Sequence, residues 1–296
     1  MPTVSHIETK FARAERRFLV SLVWQLLQKD FHCATACGGD DPDREHTGYT
    51  EKQLPIFRSG GICVICEQMC GRFTLKSPER VKFDDVVNSV DLEDLVPRYN
   101  IAPSQNVLAV VERDSLRELT FLQWGLIPFW SKEAKAFINA RVETIDDKPT
   151  FTDSFERRRC LIPADGFYEW ERINKKLSQP YYFQMKDGAP FAFAGVWDRW
   201  KQNGNTIVSC AIITTTANEL LSTIHHRMPV IMPPELHELW LNPESRAADL
   251  KEILVPFPAA EMTSHAVSRE VNSTKSDGKQ LLEPVDPTIG VNLRLF

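Results

Sequence analysis

The chain has 296 residues, of which 43% are hydrophobic and 25% are charged. This composition is ordinary for a soluble globular protein and is sufficient to bury a substantial core in one large domain or two smaller ones. The formal net charge of -5 argues against binding of nucleic acid by the whole surface, although it allows a local basic groove.

The first 68 residues differ in composition from the rest of the chain. An apolar run at 18–27 follows several basic side chains, but it is too short to span a membrane, and the charged residues after it are unlike a secretory cleavage region. The polar stretch 38–53 is typical of a linker or a disordered segment. We therefore expect residues 1–68 to be a disordered extension or the product of a misassigned start, and the protein to be cytoplasmic, without a membrane segment.

Four early cysteines raise the question of a metal site. Cys33 and Cys37 are followed by Cys63 and Cys66, and the second pair has the spacing of zinc ligands. The first pair is more loosely spaced, and the residues between the pairs hold few strand or turn signals. The alternative is that these are incidental thiols, and we expect no metal site.

Met69-Cys70 has the sequence of a second chain start. If Met69 is the first residue and is removed, Cys70 carries a free α-amine next to its thiol. Such an aminothiol condenses with an aldehyde through its amine and closes a five-membered thiazolidine ring through its sulfur, which an internal cysteine cannot do. Both groups titrate near neutrality, at about 8 for the amine and about 8.5 for the thiol.

The residues after Cys70 alternate between strand and helix signals. Ser77 and Pro78 predict a helix start, and the helix is expected to run toward Leu95. Short runs rich in branched and aromatic residues predict six strands, at 107–111, 119–124, 160–162, 181–185, 191–197 and 208–214. Short helices are predicted at 154–158, 217–222, 234–241 and 247–253. The pattern predicts an α+β domain built mainly on antiparallel sheet, without a glycine-rich phosphate loop.

Three polar motifs carry the possible chemistry. Residues 139–144 bring Asn139 and Arg141 close together in a stretch with little strand character. Residues 165–170 place Glu169 among aromatic side chains. Residues 224–229 place two imidazoles, His225 and His226, beside Arg227 before a proline. Each has an ordinary structural interpretation as a turn asparagine, a partly exposed strand carboxylate or a surface histidine. The basic run 157–159 is typical of a solvated face.

Taken together and in order, these motifs resemble the SRAP family, the SOS-response-associated peptidase or abasic-site-processing proteins. The resemblance covers residues 69 to about 286 and depends on six motifs, with a seventh near the end: Met69-Cys70-Gly71-Arg72, Tyr99-Asn100-Ile101-Ala102-Pro103, Trp124-Gly125-Leu126-Ile127-Pro128, Asn139-Ala140-Arg141, Gly166-Phe167-Tyr168-Glu169-Trp170, His225-His226-Arg227-Met228-Pro229 and Ser268-Arg269-Glu270-Val271-Asn272.

The resemblance implies one domain over 69–296 that binds abasic sites in single-stranded DNA and becomes covalently attached to them in the DNA damage response. Cys70 then supplies the amine and thiol that form a Schiff base and a thiazolidine with the sugar aldehyde. Glu169 is expected to shuttle protons, with a pKa raised by burial. His225 is a second acid–base residue, and Asn139 orients the amine. This chemistry requires no cofactor.

The resemblance also implies a set of DNA-binding residues. Three arginines are expected to contact phosphates: Arg72, Arg141 and Arg227. Trp170 is expected to stack on a base. Asn100 and Trp124 are weaker candidates. Trp124 has an alternative as a core residue. The protein is expected to act as a monomer, without a membrane, in the cytoplasm or on a bacterial nucleoid.

The chain departs from the family pattern in having 68 residues before Met69. A misassigned start, proteolytic exposure of Cys70 and a diverged protein that cannot crosslink all explain this, and we favour the first. Two other functions stay open. One is a thiol peptidase or self-processing hydrolase with Cys70 as nucleophile, His225 as base and Asn139 as orienting residue. The other is a noncatalytic binding module.

Overall fold

The computed structural model describes residues 71–83, 86–88, 90, 95–114, 116–202 and 204–287. The chain divides between Val64 and Ile65, and all described residues belong to the compact unit Ile65–Phe296. The predictions for residues 1–68, the four early cysteines and Cys70 therefore lie outside the described residues.

The described part of the chain is rich in strands. These are β1 (Arg72–Leu75), β2 (Val86–Asn88), β3 (Arg98–Ile101), β4 (Asn106–Arg113), β5 (Leu116–Trp124), β6 (Asn139–Arg141), β7 (Arg159–Ala164), β8 (Gly166–Arg172), β9 (Ser178–Met185), β10 (Phe191–Gln202), β11 (Asn205–Thr216), β12 (Arg227–Pro229), β13 (Ile231–Met232) and β14 (Met262–Ala266).

Its helices are all short. The α-helices are α1 (Thr152–Arg157), α2 (Glu219–Ser222), α3 (His237–Leu241) and α4 (Ala247–Glu252), and single 3-10 turns lie at Pro78–Arg80, Val142–Thr144, Pro234–Leu236, Ala259–Glu261, Arg269–Asn272 and Lys279–Leu282. Within the part of the chain that the structure describes, none of them has the length and apolar character needed to cross a membrane.

A five-stranded antiparallel sheet carries the first strand after the cysteine motif. Its order is β14-β9-β8-β1-β3. In the pairing of β1 with β8, Arg72 lies opposite Tyr168 and Thr74 lies opposite Gly166. A side chain at Gly166 would collide with the hydroxyl of Tyr182, only 2.0 Å from a Cβ atom placed there, so the close packing of β8 on β9 requires glycine at this position.

The second sheet closes on itself. Strands β11, β10, β7, β4 and β5 follow one another, and the parallel pairing of β5 with β11 completes a barrel. The strands of the barrel are largely buried, and every residue of β7 is buried. The α+β class built mainly on antiparallel sheet is therefore confirmed, and all six predicted strands and all four predicted short helices are present.

The two sheets pack through an aromatic contact. The ring of Phe73 on β1 lies 5.2 Å from that of Trp124 on β5 and 5.7 Å from that of Phe193 on β10, both edge to face. All three side chains are buried. Because aromatic pairs of this kind add stability beyond their buried area, the contact holds the start of β1 against the barrel.

The helix expected from Ser77 toward Leu95 is wrong. Among the described residues of this stretch, one 3-10 turn spans Pro78–Arg80, Val81 is extended, and Val86–Asn88 is a strand that pairs with β5. The Ser77 side chain makes no capping hydrogen bond, whereas its backbone N–H donates to Asp165 over 2.9 Å. The β-branched residues after the turn favour strand pairing over a helix.

Two local expectations are also wrong. Residues Asn139–Arg141 form a strand, because the edge of β11 offers them backbone partners that their own sequence does not reveal. The basic run 157–159 is not a solvated face throughout, since Arg159 is only 3% exposed. Its guanidinium donates to four backbone carbonyls where α1 and α3 end, those of Phe155, Glu156, Trp240 and Asn242.

Candidate active site and nucleic-acid interface

The long strand β11 brings two motifs together. One of its edges receives β6, with Asn139 opposite Ile212 and Arg141 opposite Thr214. Thr214 also pairs with Pro229 of β12, so β6 and β12 lie on either side of β11 at this point. The motifs around Asn139 and around Arg227, 88 residues apart in the sequence, are therefore neighbours on one sheet.

Arg227 is buried where these strands meet. Its guanidinium pairs with the Glu143 carboxylate and donates to the backbone oxygen of Thr214 over 2.6 Å. Its Nε is buried without a hydrogen-bond partner among the described residues. An arginine held in this way is pre-organised, because its side-chain conformational entropy is already lost and its two partners fix the orientation of the guanidinium.

Glu143 links two of the three arginines expected to bind phosphate. Partial burial opposes ionisation of its carboxyl, but the hydrogen bond from Arg227 and the positive charges of Arg227 and Arg141 outweigh burial and lower its pKa. Arg141 is exposed on β6. The cluster therefore presents one buried, paired guanidinium and one exposed guanidinium on either side of an ionised carboxylate.

His225 lies at the entry to β12 and is half-buried. Its Nδ1 lies 3.2 Å from the backbone nitrogen of Arg227, which donates to it, and 3.2 Å from the backbone oxygen of the same residue. Desolvation lowers the pKa of His225, and the positive charges of His226 and Arg227 lower it further. The hydrogen bond with the Arg227 backbone acts in the opposite direction and raises the pKa. A lowered pKa keeps the imidazole neutral near pH 7, as a proton acceptor must be.

Glu169 is the one carboxylate among the predicted site residues, and it is deeply buried. It is 2% exposed on β8, one residue beyond Tyr168, which lies opposite Arg72. Gly71, the residue before β1, follows Cys70 in the chain. Burial of Glu169 agrees with the sequence-based expectation, and it occurs beside the strand that begins two residues after Cys70.

Arg72 and Asn100 contact each other and the C-terminal segment, which we define as residues 268–287. Arg72 Nη1 donates to Asn100 Oδ1 over 3.0 Å and to the backbone oxygen of Val271 over 2.5 Å. Asn100 is 3% exposed, and its amide donates to three backbone oxygens of the segment, at Val271, Ser273 and Ser276. These contacts give Asn100 an anchoring role within the protein.

The two tryptophans of the predicted site differ in their surroundings. Trp170 is partly buried, and its Nε1 donates to Oδ1 of Asn272 over 2.8 Å. Trp124 is fully buried and donates to the backbone oxygen of Ile138 over 2.9 Å. Trp124 is therefore the core residue that the alternative interpretation describes, and it connects the Phe73 contact to the residue before Asn139.

Four residues that the structure brings to attention were not chosen from the sequence. Glu143 and Asn272 stand inside recognised motifs, but only the fold shows that they hold Arg227 and Trp170. Phe129 and Trp130 are each 53% exposed in the loop between β5 and β6. Lys132 and Lys135 follow these two aromatic residues in the same loop. Adjacent aromatic residues followed by lysines are a sequence signal for a nucleic-acid-binding loop.

A cavity of about 430 Å³ lies elsewhere, between the 80–83 stretch, the turn after β9 and the residues around β13. None of the predicted site residues lines it. In the described part of the chain, no group of histidine, cysteine and carboxylate side chains has the arrangement of a metal site.

The fold and the site define a class of protein: a closed β-barrel with an attached antiparallel sheet. A buried carboxylate lies beside the strand that follows a Met-Cys motif, and a half-buried histidine and two arginines lie on or next to the strands that flank β11. The model of the family SOS response associated peptidase (SRAP) matches residues 69–274. The chain belongs to this family, which confirms the resemblance seen in the sequence.

Two relatives illustrate the range of similarity. The abasic site processing protein YoaM of Bacillus subtilis is 43% identical over 226 residues, covering 73% of this chain and 98% of the relative. The abasic site processing protein YedK of Escherichia coli is 32% identical over 225 residues, covering 73% of this chain and all of the relative.

A solved structure shares the fold. The crystal structure of a protein from Bacteroides thetaiotaomicron is 28% identical and has a TM-score of 0.64, covering 73% of this chain and 100% of that protein.

Proposed function

We propose that this protein processes abasic sites by binding single-stranded DNA and forming a thiazolidine crosslink between Cys70 and the ring-opened sugar. The observation that carries the proposal is the burial of Glu169, 2% exposed, beside the strand that starts two residues after Cys70. The names of the relatives, abasic site processing proteins, support the substrate.

The proposed reaction balances as a condensation. The α-amine of Cys70 adds to the sugar C1′ aldehyde, and loss of one water gives an imine. The thiol then adds to the imine carbon, its proton passes to the nitrogen, and the ring closes. Glu169 gives a proton to the departing oxygen and takes one from the attacking amine. General acid–base help of this kind contributes about 10²–10⁴-fold.

Other residues have supporting roles in the proposal. His225, kept neutral by its lowered pKa, accepts a proton during opening of the sugar ring. Asn139, on the edge of β11, orients the Cys70 amine. Positioning of the two reacting groups supplies much of the acceleration, because it turns a bimolecular condensation into a reaction within one complex.

The proposed DNA surface combines positive charge with exposed aromatic rings. Arg72, Arg141 and Arg227 supply the charge near the reacting residues. Trp130, 53% exposed, offers a face on which a base can stack, and Lys132 follows it in the same loop. Local placement of these groups is how a chain with net charge -5 can bind single-stranded DNA.

The mechanism requires a free nitrogen on Cys70. We propose that the functional chain begins at Met69, whose removal exposes Cys70, and that residues 1–68 are absent from it. The start of the family match at residue 69 supports this proposal. Proteolytic exposure of Cys70 would give the same amino terminus.

The test compares chains that begin at Met69 with the 296-residue chain, each mixed with a single-stranded oligonucleotide containing one abasic site. The shorter chain should give an adduct whose mass is the sum of both molecules minus one water, and the longer chain should give none. Cys70→Ala should abolish the stable, unreduced adduct, whereas the matched control Cys160→Ala, at a buried thiol of the barrel, should retain it.

Cys70→Ser separates the two chemical steps. It keeps the amine but lacks the thiol, so it should give only a reversible imine that borohydride reduction makes permanent. A stable adduct of Cys70→Ser without reduction would overturn the thiazolidine. The hydrolase alternative predicts removal of residues 1–69 from the long chain and no DNA adduct from any variant.

A further inference from the structure

The C-terminal segment contacts Arg72 and Trp170, two of the predicted DNA-binding residues, in the five-stranded sheet. Its 3-10 turn, Arg269–Asn272, begins at Ser268, whose side chain accepts the backbone N–H of Glu270. The last carbonyls of such a turn have no partner within it and must be satisfied from elsewhere. Arg72 satisfies two of them, donating to Val271 over 2.5 Å and to Asn272 over 3.3 Å.

Asn272 makes a second contact through its side chain. Its Oδ1 accepts the indole N–H of Trp170 over 2.8 Å. Trp170 stands next to Glu169 on β8, and Arg72 lies opposite Tyr168, on the other side of Glu169 in the chain. Because side chains alternate along a strand, Tyr168 and Trp170 share one face of β8 and Glu169 projects from the other. Asn272 therefore contacts, with its main chain and its side chain, two of the predicted DNA-binding residues, Arg72 and Trp170.

We propose that Asn272 is a positioning residue for the DNA-binding side chains of this site: its side chain fixes the indole of Trp170, and its main-chain oxygen helps to fix the guanidinium of Arg72. The inference rests on the proposed function, because it names a further residue of the same site. Fixing these side chains before DNA arrives reduces the entropy that binding must offset.

The geometry allows the side-chain contact to be removed alone. Asn272→Ala deletes Oδ1 but leaves the main-chain oxygen that accepts Arg72. Trp170→Phe deletes the indole N–H but keeps an aromatic ring for stacking. If Asn272 acts through Trp170, the two substitutions remove the same interaction, and their effects will not add.

The experiment is a double-mutant cycle in chains that begin at Met69. DNA affinity is measured with a single-stranded oligonucleotide carrying a tetrahydrofuran site, which has no aldehyde and cannot crosslink. Crosslinking rate at saturating DNA is measured in parallel with a true abasic site. Urea unfolding checks that each variant is folded, and Asn205→Ala, at an exposed position of β11, is the matched control.

We expect Asn272→Ala to weaken binding of the tetrahydrofuran oligonucleotide by about three- to tenfold, the range of one lost neutral hydrogen bond. In the Trp170→Phe background the same substitution should change affinity by less than about twofold. Asn205→Ala should leave affinity unchanged. Equal losses in both backgrounds, or no loss in either, would overturn the positioning role.

A spectroscopic signature tests the contact without DNA. The chain that begins at Met69 has six tryptophans, and the indole signal missing from Trp170→Phe identifies Trp170 in a ¹⁵N spectrum. Asn272→Ala should move that signal upfield and speed its hydrogen exchange, while the other indole signals stay in place. An unmoved Trp170 signal would exclude the hydrogen bond on which the inference depends.

The outcomes separate this inference from the proposed function. Coupling between Asn272 and Trp170 without any adduct from the unsubstituted chain would refute the crosslinking function and leave the positioning role. An adduct without coupling would refute the positioning role only. Neither adduct nor coupling would refute both.

Discussion

Asn100 offers the sharpest test of how the site is assembled. The sequence places it among the DNA-binding candidates, but the structure buries it at 3% exposure and engages both ends of its amide. Its Oδ1 accepts Arg72, and its Nδ2 donates to the C-terminal segment. We predict that Asn100→Leu, which keeps the size of the side chain but removes its polar atoms, destabilises the protein.

The magnitude follows from the contacts. Nδ2 lies 3.2, 2.9 and 2.8 Å from the backbone oxygens of Val271, Ser273 and Ser276, and its two hydrogens supply two good hydrogen bonds among them. Each contributes about 1 kcal/mol, and the bond to the Arg72 cation about 1.5–3 kcal/mol. Water can reach the carbonyl of Ser273, which is exposed. We therefore expect a loss of about 2–4 kcal/mol in the free energy of unfolding.

Urea unfolding, followed by tryptophan fluorescence, measures this loss in the chain that begins at Met69. Hydrogen exchange should show the C-terminal segment opening first, because Asn100 holds its backbone at three points. Asn205→Leu, at an exposed asparagine, should change the free energy of unfolding by less than about 0.5 kcal/mol. A loss below about 1 kcal/mol in Asn100→Leu, accompanied by weaker DNA binding, would refute the anchoring role and favour direct contact with DNA.

Three further predictions concern other parts of the molecule. Arg159→Met should lower the free energy of unfolding by about 3–5 kcal/mol in urea titrations, because it leaves four backbone carbonyls at a buried position without their hydrogen-bond donor. The pKa of His225 is lowered in the folded protein, so its contribution to stability is present above about pH 6.5 and is lost as the pH falls toward its folded-state pKa. Urea titrations at pH 7.5 and 5.5 should therefore show a smaller loss of unfolding free energy on acidification in His225→Gln than in the unsubstituted chain. Trp130→Ala should weaken binding to a single-stranded oligonucleotide by about 1–3 kcal/mol, measured by fluorescence anisotropy, with little change in stability; unchanged binding would remove that ring from the proposed DNA surface.

Much of the fold was accessible from the sequence because its strands are locally encoded. The runs at 107–111 and 208–214 consist largely of branched apolar residues between turn signals, and both lie within longer strands of the barrel. The stretch after Ser77 was misread because a cap residue followed by proline is a local helix signal. The Asp165 carboxylate, 88 residues away from Ser77, takes the backbone N–H groups there and overrides that signal.

For the candidate site too, some features follow from the sequence and others only from the fold. Sequence motifs alone selected Glu169, Asn139 and His225 as candidates, because each residue type matches a chemical role and the order of the motifs matches the family; their catalytic roles stay predictions. They did not distinguish Trp124, which packs in the core, from Trp170, which contacts the C-terminal segment, since both are tryptophans in strands. They also did not reveal that Glu143 holds Arg227.

The amino-acid sequence by itself determined the strand content, the family and the position of the Met-Cys motif, because these depend on local patterns and on the order of short motifs. Only the tertiary structure decided which polar side chains meet. Arg72 and Val271 are 199 positions apart, and no local pattern predicts their hydrogen bond. Their partners are set by the packing of the sheet and the C-terminal segment, which no single stretch of the chain encodes.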